Sequence, residues 1–273
     1  MCGLVGLLVG RQPARRMKDI EALADVFTTM LLLSEHRGPY ATGVAWVKKD
    51  GTMQVAKEPL PARQFVQTGT YLDWLCGVNR QVTYLMGHTR WPSRGSARNH
   101  EENHPLSCAP PILLTHNGTV LDHRRHLARL RLPQSTQVDS ELLARMAQQH
   151  AGTAGIDFEA FLHELLPIEG SMSLALVATT RPEKIILLKG NMPLEVRIQP
   201  RTRVLVYASE ARILDRALTG ESGWETLPLA HGEGLVVNTH TWTLQHMAFS
   251  FQGLNTLTGT SYTGALTRRE RSR

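Results

Sequence analysis

The chain has 273 residues, of which 42% are hydrophobic and 20% charged, a balance that excludes a disordered or fibrous protein and predicts a packed core. Thirty lysines and arginines against 24 aspartates and glutamates give a formal net charge of +6. This mild excess is spread along the chain and accompanies no nucleic-acid-binding motif, so we expect no nucleic-acid partner.

The three cysteines, Cys2, Cys76 and Cys108, fit neither a disulfide framework nor a zinc pattern. We therefore expect no metal, no other cofactor and a reducing, cytoplasmic location. The apolar start MCGLVGLLVG is short, has no basic region before it and is followed at once by Arg11, unlike a signal sequence. No apolar run approaches the roughly 20 residues of a membrane span, so no membrane association is expected.

The first predicted elements are a buried strand over Gly3–Val9 and an amphipathic helix over Met17–Leu33, where apolar residues recur at helical spacing. A hairpin over 43–56 follows, with Asp50-Gly51 at its turn. We then predict a helix over 61–75 and a strand over 81–86, which leads into His88-Thr89-Arg90-Trp91.

A long irregular stretch, 92–111, comes next, and loops of this length inside a domain are more often functional than accidental. Beyond a strand over 112–115, three helices are predicted at 123–130, 140–150 and 158–166. Further strands are predicted at 173–178, 184–188, 204–208, 234–237 and 241–246, with a helix at 210–218. Strands at both ends with helices between predict one α+β domain over 1–245 and a polar, basic tail over 246–273.

Cys2 is the first residue that suggests chemistry. Its small side chain allows Met1 to be excised, which leaves Cys2 with a free α-amino group that titrates at roughly 7.7–8.0. Such an amine accepts the thiol proton near neutral pH, so that one residue supplies both nucleophile and base. Taken alone, Cys2 equally fits a small apolar residue that opens a strand.

Three further segments offer complementary groups. The side-chain NH2 of Asn117 and the backbone N–H of Gly118 can together stabilise an oxyanion. Arg90 offers a planar fork for a carboxylate, and Asp139 can accept an ammonium group. Each also has an ordinary reading: an Asn-Gly hairpin turn, a surface arginine and a helix N-cap.

Taken together, six ordered segments make the sequence resemble the class II glutamine amidotransferase domain, an N-terminal-nucleophile hydrolase. The resemblance covers about residues 2 to 240. It rests on Cys2-Gly3-Leu4-Val5-Gly6, His36-Arg37-Gly38-Pro39 with Gly43, Gly87-His88-Thr89-Arg90-Trp91, Asn103-His104-Pro105, His116-Asn117-Gly118 and Asp139-Ser140-Glu141.

The resemblance implies a four-layer αββα sandwich of two antiparallel sheets, and L-glutamine as substrate. Cys2 would attack the side-chain amide and form a thioester, with Asn117 and Gly118 holding the oxyanion. Arg90 would bind the α-carboxylate and Asp139 the α-ammonium. The remaining implied roles are support of the cysteine by Arg37, a glutamine lid from Ser93 to His104, Trp91 at the base of that lid, and structural support from His88, His104 and His116.

Two positions depart from the family pattern. Arg94 stands where many relatives carry histidine, and Tyr40 stands where many carry aspartate. Because few residues follow the match, we expect a stand-alone glutaminase that supplies ammonia to a separate synthase or acceptor subunit. Two alternatives remain open: a hydrolase of the same fold that acts on another γ-glutamyl amide or peptide, and a non-catalytic binding protein that retains the fold.

Overall fold

A computed structural model of the chain describes residues 1–108 and 112–254. The helices are α1 (Met17–Leu33), α2 (Ala62–Phe65), α3 (Gly69–Cys76), α4 (His123–Leu130), α5 (Ser140–Gln149), α6 (Phe158–Leu165) and α7 (Ala211–Ala217). The strands are β1 (Gly3–Val9), β2 (Ala41–Lys48), β3 (Met53–Glu58), β4 (Val82–Arg90), β5 (Leu106–Cys108), β6 (Ile112–Val120), β7 (Ala151–Gly152), β8 (Gly155–Ile156), β9 (Gly170–Ala178), β10 (Lys184–Lys189), β11 (Glu195–Gln199), β12 (Val204–Ala208), β13 (Glu225–Thr226), β14 (Glu233–Asn238) and β15 (Thr243–Ala248). Two 3-10 turns lie at Glu35–Arg37 and His100–Glu102.

Two large antiparallel sheets form the centre of the molecule. Over the described residues, the first sheet has the order β13-β11-β12-β1-β4-β2-β3 and the second has the order β15-β14-β10-β9-β6-β5. Buried apolar residues of both sheets face one another in a core that includes Leu4, Tyr84, Leu113 and Ala175. The sheets therefore pack face to face.

Helices cover the two outer faces. Helices α1, α2, α3 and α7 bury apolar side chains such as Phe27 and Trp74 against the first sheet. Helices α4, α5 and α6 do the same against the second sheet, with Leu143 and Phe161 fully buried. The predicted α+β class and the four-layer αββα arrangement are confirmed.

The burial of strand β1 on both faces explains why its sequence is apolar throughout. Val5 and Leu7 point towards the helical layer, while Leu4 and Leu8 point into the core between the sheets. A central strand buried on both faces needs a continuous apolar run instead of alternation. At Gly6, a Cβ atom would lie 2.2 Å from the ring of Tyr207, so this position admits only glycine.

Several elements differ from the predicted bounds. The predicted helix over 61–75 is two helices, α2 and α3, and strands β4 and β6 run on through His88-Thr89-Arg90 and His116-Asn117-Gly118. His88 and Thr89 pair with β1 on one side and β2 on the other, and His116-Asn117-Gly118 pair with β9, which keeps these polar residues in strands. Strand β11 was not predicted, although Val196 and Ile198 alternate with polar residues.

The chain packs beyond residue 245. Strand β15 ends at Ala248, and Phe249, Phe251 and Leu254 are buried in the core of the second sheet. Residues 255–273, which the sequence predicts to be part of the basic tail, lie outside the described residues. Among the helices that are described, none has the length and apolar character needed to cross a membrane.

Candidate active site

Cys2 lies where β1 and β4 meet. The register of these strands pairs Gly3 with Thr89, which brings Cys2 next to the end of β4. The backbone N–H of Trp91 donates a hydrogen bond to the Cys2 Sγ at 3.4 Å, and the Sγ lies 3.5 Å from the Trp91 carbonyl oxygen. The thiol is therefore held by backbone one residue beyond Arg90.

The environment of Cys2 keeps its thiol protonated. Burial raises the pKa of the Cys2 thiol, although the hydrogen bond from Trp91 and the positive charge of Arg90 act in the opposite direction. A thiol with a raised pKa is a poor nucleophile at neutral pH unless a base removes its proton. The site therefore needs a base close to the sulfur.

Arg37 holds the backbone of Cys2 from the other side. Its side chain is 4% exposed, and its Nε–H donates to the Cys2 carbonyl oxygen at 2.8 Å. Its Nη1 bonds to the carboxylate of Glu210. The 3-10 turn Glu35–Arg37, which follows α1, delivers this arginine to the start of β1.

Asn117 and Gly118 lie in β6, on the second sheet. Asn117 is fully buried, and neither its amide oxygen nor its amide nitrogen has a hydrogen-bond partner among the described residues. Leaving a buried polar group unpaired costs about 1–3 kcal/mol, so an amide of this kind is typical of a site awaiting a ligand. Gly118 has φ of 150°, and a Cβ there would lie 2.0 Å from the Ser171 carbonyl oxygen.

Arg90 is buried and already holds the loop that follows it. Its guanidinium donates to the carbonyl oxygens of Ser96 at 3.0 Å and Arg94 at 2.8 Å, and to Asn103 Oδ1 at 2.6 Å. Three of the five N–H groups of an arginine are used in this way. Arg90, which is predicted to bind the α-carboxylate of the substrate, thus also anchors the lid loop.

Two buried residues complete the loop anchorage. Glu102 accepts hydrogen bonds from the backbone N–H groups of Ser96 at 2.6 Å and Gln137 at 3.1 Å. Asn103 donates to the Ala97 carbonyl oxygen at 2.6 Å. The loop is therefore anchored at Ser96 and Ala97, within its exposed segment.

Asp139 occupies the N-cap position of α5, but its carboxylate caps nothing. Its Oδ2 instead accepts a hydrogen bond from the Val120 N–H at 2.5 Å, and the side chain is buried. Burial raises the pKa of the Cys2 thiol and lowers the pKa of Arg90, and the negative charge of Asp139 acts to raise both. The helix-cap reading of this residue is therefore wrong for its side chain.

The mouth of the site carries an exposed aromatic pair. Trp91 is 46% exposed and meets Tyr40 edge to face, with ring centroids 5.2 Å apart. Ser93 and Arg94 lie on the exposed part of the loop. Tyr40, one of the two departures from the family pattern, therefore packs on Trp91.

The three predicted supporting histidines are buried and neutral. His88 and His104 stack with centroids 4.3 Å apart, and burial lowers the pKa of His88 to about 3 and that of His104 well below its usual value. His116 Nε2–H donates to the Ser171 carbonyl oxygen, so its Nδ1 accepts from the Ser140 hydroxyl. Over residues 1–108 and 112–254, no group of three or more candidate ligands could hold a metal ion.

One acidic residue of the site was missed. Glu210 lies between β12 and α7 and bonds to Arg37, Arg212 and His36. Burial opposes its ionisation, but these hydrogen bonds outweigh that effect and lower the pKa of Glu210 to about 2. From sequence, Glu210 is simply the first polar residue of a predicted helix, and nothing local links it to Cys2.

The chain has sequence relatives among glutamine-using aminotransferases. No family model matches the chain. The chain is 25% identical over 235 residues to glutamine–fructose-6-phosphate aminotransferase [isomerizing] of Aeropyrum pernix, an overlap that covers 82% of this chain and 35% of that protein. It is 28% identical over 204 residues to the enzyme of the same name from Mycolicibacterium paratuberculosis, which covers 72% and 31% of the two chains. The chain spans about a third of the length of these curated relatives.

A solved structure shares the fold. Glutamine phosphoribosylpyrophosphate amidotransferase from B. subtilis, complexed with ADP and GMP, superposes with a TM-score of 0.68 at 20% identity, covering 91% of this chain and 49% of that one. The chain therefore shares the fold of this amidotransferase and is similar in sequence to the glutamine-using aminotransferases, and the resemblance to class II glutamine amidotransferase domains that its motifs predict is confirmed.

Proposed function

We propose that the chain hydrolyses the side-chain amide of L-glutamine to glutamate and ammonia, with Cys2 as the nucleophile. The observation that carries the proposal is the buried amide of Asn117, which has no partner in the part of the chain that the structure describes. The same sandwich holds the Cys2 sulfur beside Arg90. An enzyme that transfers an acyl group needs both a nucleophile and a donor for the oxyanion.

The first half of the reaction acylates Cys2. After removal of Met1, the free amine of Cys2 takes the thiol proton, and the sulfur attacks the Cδ of glutamine. The tetrahedral oxyanion accepts hydrogen bonds from Asn117 Nδ2 and the Gly118 N–H. The amine then returns the proton to the leaving nitrogen, the C–N bond breaks, and ammonia departs from a γ-glutamyl thioester.

The second half releases glutamate. The same amine removes a proton from water, which attacks the thioester carbon through a second tetrahedral oxyanion held by the same donors. The C–S bond then breaks and the thiol is reprotonated. The raised pKa of the Cys2 thiol favours its protonated form at the end of each cycle.

The charged residues of the site suit an α-amino acid head group. Two N–H groups of Arg90 are not used by the loop contacts and can receive the α-carboxylate. One oxygen of Asp139 remains beside its bond to Val120 and can accept the α-ammonium. Trp91 and the loop from Ser93 to His104 would close over the bound substrate.

The ammonia has an acceptor in related proteins, whose names describe amino-group transfer to fructose 6-phosphate. We propose that this chain likewise supplies ammonia to an acceptor enzyme, borne by a separate subunit. Affinity capture with the intact chain, with and without glutamine, tests for such a subunit. The free state of Cys2, Cys76 and Cys108 supports a reducing, cytoplasmic location.

The direct test is glutamine hydrolysis by the purified chain, measured as ammonia and glutamate. Cys2→Ala should abolish turnover, and mass spectrometry should detect a γ-glutamyl adduct on a peptide that begins at Cys2. Undiminished activity of Cys2→Ala, or full activity in protein that retains Met1, would refute the mechanism. Preference for a γ-glutamyl peptide in a substrate panel would support the alternative hydrolase.

A further inference from the structure

We propose that Glu210 is a positioning residue for the Cys2 nucleophile and acts through Arg37. The proposal rests on the function proposed above, since it takes Cys2 to be the attacking group. It adds one more segment, at the start of α7, to the parts of the chain that shape the reaction.

The first step of the argument is the orientation of Arg37. Its guanidinium is buried and makes two directional contacts, one from Nε–H to the Cys2 carbonyl oxygen and one from Nη1 to Glu210. The carboxylate therefore fixes the plane of a group that holds the backbone of the nucleophile. Rotation of that plane would break the 2.8 Å bond to Cys2.

The second step is the rigidity of Glu210 itself. Its neighbour Ser209 donates its backbone N–H to the Leu4 carbonyl oxygen at 2.9 Å, and the Leu4 N–H donates to the Ser209 hydroxyl at 2.9 Å. These bonds attach the residue before Glu210 to the residue two positions after Cys2. Glu210 and Cys2 are therefore placed on one frame.

The third step is the outer support of the carboxylate. Arg212 Nε donates to Glu210 Oε2, and Arg212 Nη2 lies 2.6 Å from His36 Nε2. The His36 Nδ1–H donates to the Leu33 carbonyl oxygen at 2.8 Å. Glu210 is thus held between one buried and one exposed arginine.

The chemistry of the pair explains why a carboxylate is needed. The Arg37 guanidinium is buried, and a buried charge without its partner is strongly destabilised or moves. Glutamine at position 210 keeps an acceptor atom but removes the negative charge. We therefore expect Glu210→Gln to loosen Arg37 and, with it, the Cys2 backbone, without opening a cavity.

A double-mutant cycle tests the route of action. Glu210→Gln should lower kcat for glutamine at least tenfold and leave KM within twofold, because the proposed head-group ligands are untouched. In an Arg37→Gln background, adding Glu210→Gln should change kcat by less than twofold. Losses that multiply instead would overturn the proposal, since Glu210 would then act independently of Arg37.

Thiol alkylation provides a second readout that needs no turnover. Cys76 is exposed and Cys108 is buried, so they report reagent activity and global unfolding respectively. In Glu210→Gln, iodoacetamide should alkylate Cys2 at least threefold faster relative to Cys76, while Cys108 stays protected. An unchanged ratio of Cys2 to Cys76 alkylation rates would overturn the proposal.

Two comparisons separate positioning from a purely structural role. Glu164→Gln is the matched control, because the Glu164 side chain is 17% exposed against 23% for Glu210 and pairs with His150 at 2.9 Å. This variant should leave kcat and the ratio of Cys2 to Cys76 alkylation rates unchanged. Glu210→Asp keeps the negative charge. If Cys108 loses its protection in both Glu210→Gln and Glu210→Asp, the side chain is needed for folding as such, and the proposal is overturned. If the wild type does not hydrolyse glutamine, the proposed function fails while the alkylation arm still decides the role of Glu210.

Discussion

Asn117 should lower the stability of the folded protein while it supports catalysis. Replacing it should therefore raise the unfolding free energy and lower kcat. Its amide is fully buried in β6, and neither polar atom has a hydrogen-bond partner within residues 1–108 and 112–254. Asn117→Leu has a similar branched shape and removes both polar atoms. We therefore expect this variant to be more stable than the wild type and far less active.

The magnitudes follow from the two roles. An unpaired buried polar group costs about 1–3 kcal/mol, and apolar replacement recovers part of that cost, reduced by the extra volume of leucine. We expect a gain in unfolding free energy of about 1 kcal/mol. Loss of one oxyanion donor typically lowers kcat by about 100- to 1000-fold, or roughly 3–4 kcal/mol in the barrier.

Urea unfolding and steady-state glutamine hydrolysis measure the two effects on the same preparations. Thr83→Val is a matched control, because Thr83 is a buried β-strand residue whose hydroxyl donates to the Val47 carbonyl oxygen at 3.2 Å. The control should lose about 0.5–1.5 kcal/mol of stability and keep its activity. The two polar-to-apolar changes should therefore shift stability in opposite directions.

Two results would refute this reasoning. If Asn117→Leu is less stable by more than about 1 kcal/mol, the amide is satisfied in the free protein. If kcat falls by less than tenfold, Asn117 does not stabilise the oxyanion.

Three further predictions concern the base, the turn and the loop. Because burial raises the pKa of the Cys2 thiol, the proposed base is the terminal amine, so kcat/KM should rise with pH through roughly 7.7–8.0 and level off above about 9; a rise that continues beyond about pH 10 would indicate direct thiol ionisation instead. Gly118→Ala should lose about 2 kcal/mol or more in urea unfolding, since its Cβ would lie 2.0 Å from a carbonyl oxygen, whereas Gly152→Ala, with nothing within 4 Å, should be nearly neutral; equal effects would contradict the strain argument. Glu102→Gln should raise KM for glutamine several-fold with little change in kcat, because a side-chain NH2 would face a loop N–H that the carboxylate now accepts; steady-state kinetics check this, and an unchanged KM would separate the loop from substrate binding.

Much of the fold could be read from local patterns. The continuous apolar run of β1 and the helical periodicity of α1 predict these elements, because burial on two faces or on one stripe leaves a period in the sequence. The break between α2 and α3 was not predicted. The packing of Phe249 and Phe251 against the second sheet was also missed, since two aromatic residues in a polar tail form no period.

The sequence by itself determined which residues are proposed to carry the chemistry: Cys2 at the start of a strand, Arg90 at the end of another, and an Asn-Gly pair in a third. Only the tertiary structure decided how they are used. Arg90 also anchors the loop, Asp139 accepts from Val120 instead of capping its helix, and Glu210 reaches Arg37 across 173 positions of the chain. The physical reason is that composition and spacing encode local backbone geometry, whereas the partner of a buried charge is set by which strands the two sheets bring together.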